Sequence, residues 1–347
     1  MLVLGGTGFI GSWIARSLIA RGHRVTVFTR TSKPLISSVE HSIDYVAGDL
    51  NDYDAVCAAM RGHDAVFHAA GYYPLFSLHR EHQCREALTG LRTILNAAQE
   101  SGIGKFIFTS SPAVLVEDKA AVARCTYHAI KRLLHDEVQR WIERGLPGMI
   151  AIPGACFGPD DRKPTTGRIV VEIASRRLRF IVEGKMNAVD VRDLAQGEVA
   201  MLERAAIGSC YQLGNWNCLF SEFARLVAKT ANVPVLRIKA PYAAARAVAT
   251  IGEWVQFHAG ARLPLLPEAA LDQIHYGSFL DSSNAVRDLS FTVRPVEQTV
   301  ADTLDYFVRK HYIVRQPGRI GDGASPTLSA QHTSLPRQTF RKDRDSE

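Results

Sequence analysis

The sequence has no closely spaced pair of cysteines, no long apolar run and no block of basic residues. Its six cysteines form no Cys-x-x-Cys motif and lie mostly in apolar segments, so neither a disulfide framework nor a metal site is predicted. No apolar run reaches the roughly 18 residues that a membrane-spanning helix needs. A glycine turn at residue 5 leaves no room ahead of it for a targeting peptide. We therefore expect a cytoplasmic protein without a membrane span.

The charges are nearly balanced along the chain. Its 347 residues include 41 basic and 35 acidic side chains, which gives a formal net charge of +6, and the two signs are interspersed. Proteins that bind nucleic acid concentrate basic residues on one face or segment, so no nucleic-acid partner is expected here. The small basic excess fits attraction to an anion such as a dinucleotide. A hydrophobic content of 46% suffices for one large and one smaller domain.

The chain opens with an apolar run that breaks into three glycines spaced three apart, Met1-Leu-Val-Leu-Gly5-Gly6-Thr7-Gly8-Phe9-Ile10-Gly11. This pattern predicts a strand, a tight turn and a helix. Gly5 permits the sharp turn, Gly8 permits a pyrophosphate to approach bare backbone, and Gly11 permits the helix to pack closely on the strand. Glycine triplets also occur in turns that bind nothing. The helix and the second strand that follow favour a dinucleotide site.

Strand and helix patterns alternate as far as about residue 160. Apolar and β-branched runs predict the strands, and helical periodicity predicts the segments between them. Such alternation is typical of an α/β fold with a doubly wound parallel sheet, in which ligands bind at the carboxyl ends of the strands. The predicted strands cover residues 1–4, 24–28, 42–46, 64–71, 105–112 and 148–153, and the predicted helices cover about 12–20, 52–60, 84–101 and 125–144.

The sequence predicts three parts. Residues 1–160, joined again by a segment at about 186–215, form a nucleotide-binding domain of the Rossmann type. Residues 161–312, where the alternation loosens and prolines interrupt a helical region at 242–271, form most of a smaller C-terminal substrate-binding domain. From residue 316 onward, Gly, Ser, Pro, Gln, Thr and charged residues replace the apolar periodicity. That composition predicts a disordered tail.

Tyr127 and Lys131 lie four residues apart in a predicted helix and therefore on one face of it. A lysine ammonium favours the phenolate and lowers a phenol pKa of about 10, so the tyrosine can exchange a proton with a substrate hydroxyl or carbonyl. The same spacing also suits an ordinary amphipathic helix. Ser111, at the end of a predicted strand, can donate a hydrogen bond to the same oxygen, with Thr109 and Ser110 as rivals.

The chain resembles the extended short-chain dehydrogenases/reductases over about residues 1–312. It is most similar to the branch that holds dihydroflavonol reductases, beta-hydroxysteroid dehydrogenases and hopanoid-associated sugar epimerase proteins. Besides the glycine turn and the Tyr-Lys pair, the motifs in family order are Asp49-Leu50, His68-Ala-Ala70, Phe108-Thr-Ser-Ser111, Pro153-x-x-x-x-Gly158-Pro159 and Val189-Asp-Val-Arg-Asp193-Leu-Ala195.

The resemblance implies a nicotinamide cofactor, a small-molecule substrate, a homodimer, and a catalytic triad of Ser111, Tyr127 and Lys131. It places the adenine near Asp49 and Leu50 and implies that Lys131 also binds the nicotinamide ribose. The implied cofactor-binding residues are Gly5, Thr7, Gly8, Phe9, Ile10, Gly11, Arg30, Asp49, Leu50, Ala69, Ala70, Lys131 and Pro153.

Arg30 bears on the choice of cofactor. NAD-preferring relatives carry an acidic residue at the end of the second strand, whereas this chain has Thr29 and Arg30, with Ser32 and Lys33 close behind. A guanidinium and hydroxyls suit a 2′-phosphate, so NADP is expected, with NAD as the alternative. A basic loop that only faces solvent would explain the same residues.

Three features depart from the family pattern. Only sixteen positions separate Ser111 from Tyr127, so the loop that shapes one wall of the substrate site is shortened. Ala87 stands where relatives often carry an asparagine that supports the proton relay. Ile152 stands where an arginine or asparagine often precedes Pro153. The geometry of the triad and the substrate contacts therefore do not follow from the resemblance.

These motifs are compatible with three functions. We favour an NADP-dependent oxidoreductase that transfers hydride between the nicotinamide and a carbonyl or secondary alcohol of a small, apolar substrate. A nucleotide-sugar epimerase or dehydratase would use the same triad and return its cofactor unchanged. A catalytically silent NADP-binding sensor or assembly subunit would account for the departures from the family pattern.

Further residues have two interpretations each. His79, His82 and Cys84 carry metal-donor atoms, but with no fourth ligand nearby a solvated start of a helix is favoured. Tyr72 and Tyr73 suit either a substrate pocket or loop packing. The helical segment 243–257 can either cover the protein's own core, which we favour, or rest on a membrane.

Overall fold

The computed structural model describes residues 1–30, 42–73, 79–259 and 267–314. Ser32, Lys33 and the tail predicted from residue 316 lie outside the described residues. The strands are β1 (Leu2–Leu4), β2 (Val25–Thr29), β3 (Ile43–Ala47), β4 (Ala65–His68), β5 (Lys105–Thr109), β6 (Gly148–Pro153), β7 (Ala155–Phe157), β8 (Lys185–Asp190), β9 (Cys210–Leu213) and β10 (Trp216–Leu219).

Helices separate most of these strands. They are α1 (Phe9–Ala20), α2 (Tyr53–Met60), α3 (Arg80–Glu100), α4 (Lys119–Arg124), α5 (Thr126–Glu143), α6 (Arg168–Ala174), α7 (Val191–Arg204), α8 (Phe220–Thr230), α9 (Tyr242–Ala259), α10 (Glu268–His275), α11 (Ser283–Leu289) and α12 (Val296–Arg309). A 3-10 helix covers Pro112–Leu115. In the described part of the chain, no helix is both long and apolar enough to cross a bilayer.

The main sheet confirms the predicted α/β fold. In the described residues it has seven strands in the order β3-β2-β1-β4-β5-β6-β9, and every neighbouring pair is parallel. Successive residues point to opposite faces, so Leu2 and Leu4 enter one core while Val3 enters the other. Because helices cover both faces, β1 is buried along its whole length.

Each face of the main sheet has its own layer of helices. α1 and α7 bury residues such as Ile14 and Val199 on one face. α2, α3 and α5 bury residues such as Val56, Leu95 and Ile130 on the other. The parallel arrangement brings the carboxyl ends of β1, β4, β5 and β6 to one edge, which is where a doubly wound sheet binds its ligand.

The second half of the chain adds a small sheet with the strand order β10-β8-β7. β8 and β10 are antiparallel, and a separate core of α6, α8 and α12 surrounds the sheet, with Phe157 stacked on Phe223. The alternation pattern did not predict β7, β8 or β10, because their short runs lack its regular spacing. The domain boundaries predicted at residues 160 and 312 stay a prediction.

Candidate active site

The glycine turn joins β1 to α1 with almost no free space. Gly5 has a φ of +82°, and the backbone N–H of Gly8 donates to the carbonyl oxygen of Gly5 at 2.9 Å. A Cβ on Gly5 would lie 2.7 Å from the nitrogen of Ala70, and one on Gly11 would lie 2.3 Å from the Gly5 oxygen. Side chains at residues 5 and 11 would therefore force β1, α1 and the end of β4 apart.

The beginning of α1 presents backbone donors beside this turn. The helix starts at Phe9, three residues earlier than the sequence predicted, with the exposed Gly8 at its N-cap. Because Gly8 has no side chain to cap the helix, the N–H groups of the first turn, which includes Ile10, remain available to an anion. Thr7 lies in the turn itself. This cradle fits a pyrophosphate.

Other predicted cofactor residues lie at the neighbouring strand ends. The N–H of Ala69 donates to the Leu4 oxygen at 3.0 Å, which fixes the end of β4 beside the glycine turn. Ala70 follows against Gly5. Pro153 is the buried last residue of β6. These side chains are small or rigid, so the sheet edge leaves backbone accessible between the strands.

The outer strands carry the residues predicted at the adenosine end. Arg30 is exposed and follows β2 directly. After β3, the Asp49 carboxylate accepts hydrogen bonds from the Asn51 backbone at 2.9 Å and from its side chain at 3.0 Å. Leu50 packs on the core between the sheet and α2. The roles of these three residues toward a cofactor stay predictions.

Ser111 and Tyr127 converge at the carboxyl end of β5. Their hydroxyl oxygens are 3.0 Å apart, and both side chains are buried. The Ser111 hydroxyl also accepts from the N–H of Ala113 at 3.3 Å, because it begins the 3-10 helix. This helix and α4 return the shortened connection to the start of α5. The sixteen-residue spacing therefore does not separate the two hydroxyls.

The three hydroxyl residues at the end of β5 have different hydrogen-bond partners. Thr109 points to the opposite face and donates to the buried Glu198 carboxyl at 2.9 Å. Ser110 lies 3.0 Å from Nδ1 of His135. Ser111 alone of the three has a hydrogen bond to Tyr127 within the described residues. Each rival hydroxyl thus has another partner.

Lys131 lies one turn after Tyr127 on α5, with its Nζ 5.6 Å from the centre of the Tyr127 ring. It reaches toward the end of β4, where a Cβ on Gly71 would lie 3.1 Å from Nζ. Burial lowers the pKa of Lys131 to about 8. An ammonium in this position lies over the Tyr127 ring and close to the end of β4.

The expected lowering of the Tyr127 pKa by Lys131 is wrong for this structure. Burial raises the pKa of Tyr127 well above its ordinary value, and the hydrogen bond with Ser111 offsets only part of this rise. The physical reason is that burial penalises the charged phenolate more than the hydrogen bond with Ser111 stabilises it. Tyr127 is therefore held as the neutral phenol at neutral pH.

Tyr73 and α10 form a wall beside Tyr127. The Tyr73 ring lies 5.4 Å from the Tyr127 ring, centre to centre, and its hydroxyl accepts from Nε2 of Gln273 at 3.0 Å. Ala269, one turn earlier on α10, packs against Tyr127 and Ala113. The spacing of Ala269 and Gln273 could have indicated a shared helix face, but not what that face contacts. Sequence reasoning therefore missed both residues.

Several other expectations concern residues near this wall. Tyr72 packs on the core and donates to Glu86 at 3.0 Å, as loop packing requires. Ala87 and Ile152 are buried in the same apolar core, so neither supplies a polar group to the site. His82 forms an exposed ion-pair contact with Glu86 at 3.5 Å. Across the described ranges, no group of three or more His, Cys, Asp or Glu side chains is suited to a metal ion.

Known proteins share this architecture over most of the chain. The family model for the NAD dependent epimerase/dehydratase family matches residues 1–214. A Synechocystis protein with the provisional name dihydroflavonol 4-reductase is 29% identical over 331 residues, which cover 90% of this chain and 96% of that protein. A 3-beta-hydroxysteroid dehydrogenase from Mycolicibacterium neoaurum is 26% identical over 364 residues, which cover 95% of this chain and 96% of that enzyme.

A solved structure, that of gox2253, is similar to the whole fold. It has a TM-score of 0.76 and 31% sequence identity, and the match covers 90% of this chain and 99% of that one. The resemblance to dehydrogenases and reductases with a nicotinamide cofactor, expected from the motifs, is confirmed. The family model spans more than half of the residues, and the chain therefore belongs to the NAD dependent epimerase/dehydratase family.

Proposed function

We propose that the protein is an NADP(H)-dependent oxidoreductase that interconverts a ketone and a secondary alcohol on a small, apolar substrate. The observation that carries this proposal is the 3.0 Å contact between the hydroxyls of Ser111 and Tyr127 at the edge of the sheet that holds the glycine turn. A bound nicotinamide cofactor supplies or accepts the hydride. The chain's own residues bind the substrate oxygen and move its proton.

Tyr127 is proposed as the proton donor in the reduction. Its raised pKa keeps the phenol protonated at neutral pH, so it can give its proton to the oxygen of a carbonyl substrate. Ser111 can donate a hydrogen bond to the same oxygen as negative charge develops on it. Lys131 offers a positive charge at the sheet edge, where it would bind the cofactor ribose. The neutral phenol is the protonation state that the reduction requires.

Arg30 supports the preference for NADP. Its guanidinium is exposed at the end of β2, next to the position where an acidic residue would hold the ribose hydroxyls of NAD. A guanidinium binds phosphate oxygens through paired hydrogen bonds. Replacing Arg30 with aspartate should therefore raise the KM for NADPH more than the KM for NADH. An equal change for both cofactors would contradict the assignment.

The wall around Tyr127 supports an apolar substrate. Ala113, Ala269 and the ring of Tyr73 surround the tyrosine, and the hydroxyl of Tyr73 is already engaged with Gln273. Similar proteins include one named as a hydroxysteroid dehydrogenase, which agrees with a flat apolar ligand. A sugar nucleotide would need several polar partners at this wall.

The direct test measures NADPH oxidation with a panel of aliphatic and aromatic ketones. The wild-type protein should oxidise NADPH with at least one of them, and Tyr127→Phe should reduce kcat by about 10²-fold or more because the proton donor is lost. Cofactor affinity, followed by NADPH fluorescence, should stay unchanged. Turnover that survives the substitution would remove Tyr127 from the mechanism.

Epimerisation is the second candidate, since the family name includes epimerases and dehydratases. Turnover of a UDP- or GDP-sugar without net redox would establish it. A silent NADP-binding subunit would bind NADPH and turn over neither class of substrate. The shortened loop motivated that interpretation, but it leaves Ser111 and Tyr127 in contact. The homodimer and the cytoplasmic location stay predictions.

A further inference from the structure

Helix α9 carries an exposed apolar stripe on the side that faces away from the protein. Val248, Ile251 and Trp254 recur at about one helical turn and are 49%, 64% and 56% exposed. The inner side of the same helix is formed by Ala245 and Ala249, which pack in a small core with Val182 and Leu271. The helix therefore covers the protein with its small residues and presents its large apolar residues to the outside.

A basic cavity lies beside the chain segment that leads into α9. Arg225, Arg237 and Lys239 line a cavity of about 400 Å³ together with Ser221, Leu236 and two further aliphatic residues. The chain before α9 pairs with Ile181, the neighbour of Val182 beneath α9, through hydrogen bonds at 2.8 and 2.9 Å. Ile238, in this same segment, is 66% exposed. The apolar stripe and the basic cavity thus flank one segment of the chain.

The segment formed by α9 and the residues just before it exposes no carboxylate. Residues 231–259 contain a single carboxylate, Glu253, and it is turned inward to accept a hydrogen bond from the backbone of Glu268 at 2.8 Å. Lys239 forms an ion pair with Glu183, while Arg237 is exposed. The exposed side of α9 therefore combines apolar residues with neighbouring cations and no carboxylate of its own.

We propose that α9 and the preceding segment, residues 235–259, dock the protein on the surface of a membrane that contains anionic lipids. Val248, Ile251 and Trp254 would enter the boundary between headgroups and acyl chains, a region in which tryptophan is enriched in membrane proteins. Arg225 and Arg237 would meet the lipid phosphates. Apolar insertion and basic attraction are the two components that interfacial helices combine.

A second copy of the chain fits this surface less well. A stable protein interface buries about 800 Å² on each partner and uses roughly 20–30 residues a side. Four exposed aliphatic and aromatic side chains provide much less than that. A bilayer requires neither a large area nor an opposing protein surface.

The docking surface connects to the candidate active site through α10. Tyr242 at the start of α9 donates to the buried Asp272 at 2.6 Å, and Arg246 pairs with Glu268. On an adjacent face of α10, Ala269 packs against Tyr127 and Gln273 donates to Tyr73. Only one helix thus separates the proposed membrane surface from the residues proposed to handle an apolar substrate.

The test uses the full chain and vesicles, and it needs no turnover. The protein should float with phosphatidylcholine vesicles that contain about one-third phosphatidylserine, and binding should fall steeply with salt. Ile251→Glu and Trp254→Glu should each weaken vesicle binding at least tenfold. Ile207→Glu is the matched control, since Ile207 is 49% exposed but lies between α7 and β9, and it should bind like the wild type.

Further measurements separate apolar insertion from basic attraction and test self-association as the rival. Arg237→Glu should weaken binding to the anionic vesicles and reduce its dependence on salt, and all variants should keep the wild-type melting temperature. Equal loss for Ile251→Glu and Ile207→Glu, or no flotation of the wild type, would overturn the proposal. A dimer in solution that Ile251→Glu dissociates would overturn it in favour of self-association. Because cofactor binding is measured separately, failure here leaves the proposed function intact.

Discussion

The two walls of the candidate active site are held together in different ways. The cofactor wall is made of backbone that follows β1 and β4 within the first seventy residues, and close approach of Gly5, Gly11 and Ala70 fixes it. The substrate wall is made of side chains from separate elements, and its contact between Tyr73 and Gln273 joins residues 200 positions apart. The first wall tolerates almost no added atom, whereas the second depends on single hydrogen bonds and packing.

This difference matches the demands of the two ligands. NAD and NADP share the same pyrophosphate, so a cradle of backbone groups at fixed spacing serves either cofactor. A substrate differs between members, and side chains on α10 and after β4 can change without disturbing the sheet. Substitutions should therefore have larger and less specific effects on the cofactor wall, and smaller effects confined to substrate parameters on the other.

The largest effect is expected for Gly11→Ala. Its Cβ would lie 2.3 Å from the Gly5 oxygen, so α1 must move away from the turn. We expect NADPH affinity to fall by more than tenfold and the free energy of unfolding to fall by about 1–3 kcal/mol, the usual cost of overpacking. Fluorescence titration and urea unfolding measure these two quantities.

Gly22→Ala is the matched control for this prediction. Gly22 ends the same helix with a φ of +81° and nothing within 4 Å of an added Cβ. Alanine there should cost about 1 kcal/mol of stability from backbone strain while NADPH affinity stays at the wild-type value. If both alanine variants lost the cofactor equally, global instability rather than the turn would be responsible.

The next effect concerns the junction of the two walls. Ser111→Ala should lower kcat by about 10²-fold, the usual loss when one donor to a developing oxyanion is removed. Ser110→Ala removes the neighbouring hydroxyl, which contacts His135 instead, and should leave kcat within a few-fold of the wild type. Steady-state NADPH oxidation compares the two variants. A larger loss of kcat for Ser110→Ala than for Ser111→Ala would show that Ser110, and not Ser111, supplies the catalytic hydroxyl.

The cofactor wall was readable from the sequence, and the substrate wall was not. Gly5, Gly8 and Gly11 are recognisable because their spacing follows from local backbone geometry. The choice of Ser111 over Thr109 and Ser110 depends on the direction in which each side chain points where β5 ends. The alternation of side chains between the two faces of a strand does not predict these directions beyond the end of the strand. The contact of Ala269 and Gln273 with Tyr127 and Tyr73 depends on how α10 docks, which no local pattern encodes.

The fold was likewise predictable only where local sequence patterns determine it. Alternation of strands and helices predicted the strands of the main sheet as far as β6. The small sheet of β7, β8 and β10 was missed, because its stability comes from the separate core around Phe157 and Phe223 rather than from a repeated local pattern. The pKa of Tyr127 was mispredicted for a related reason. Its burial depends on distant residues, whereas the spacing to Lys131 is local.

The pH dependence should report on Lys131. Burial lowers its pKa to about 8, so the side chain is charged below that pH and neutral above it. If the charge binds the cofactor, log kcat/KM for NADPH should fall with a slope approaching −1 as the pH rises through about 8. Tyr127, whose pKa is raised, stays protonated in this range. A flat profile from about pH 6 to pH 10 would show that the Lys131 charge is not required.

The smallest effect is expected at the hydrogen bond between Tyr73 and Gln273. Tyr73→Phe keeps the ring beside Tyr127 and removes the hydroxyl, and a typical hydrogen bond contributes about 1 kcal/mol, so the KM for the ketone should rise about fivefold at unchanged kcat. Gln273→Leu should have the same effect, and the double variant should add nothing further, because both substitutions break one contact. Tyr72→Phe is the control, since its hydroxyl bonds to Glu86 instead. Strict additivity of the two single effects would show that Tyr73 and Gln273 act on the substrate separately. The hydrogen bond between them would then not hold the substrate wall together, and this difference from the cofactor wall would be lost.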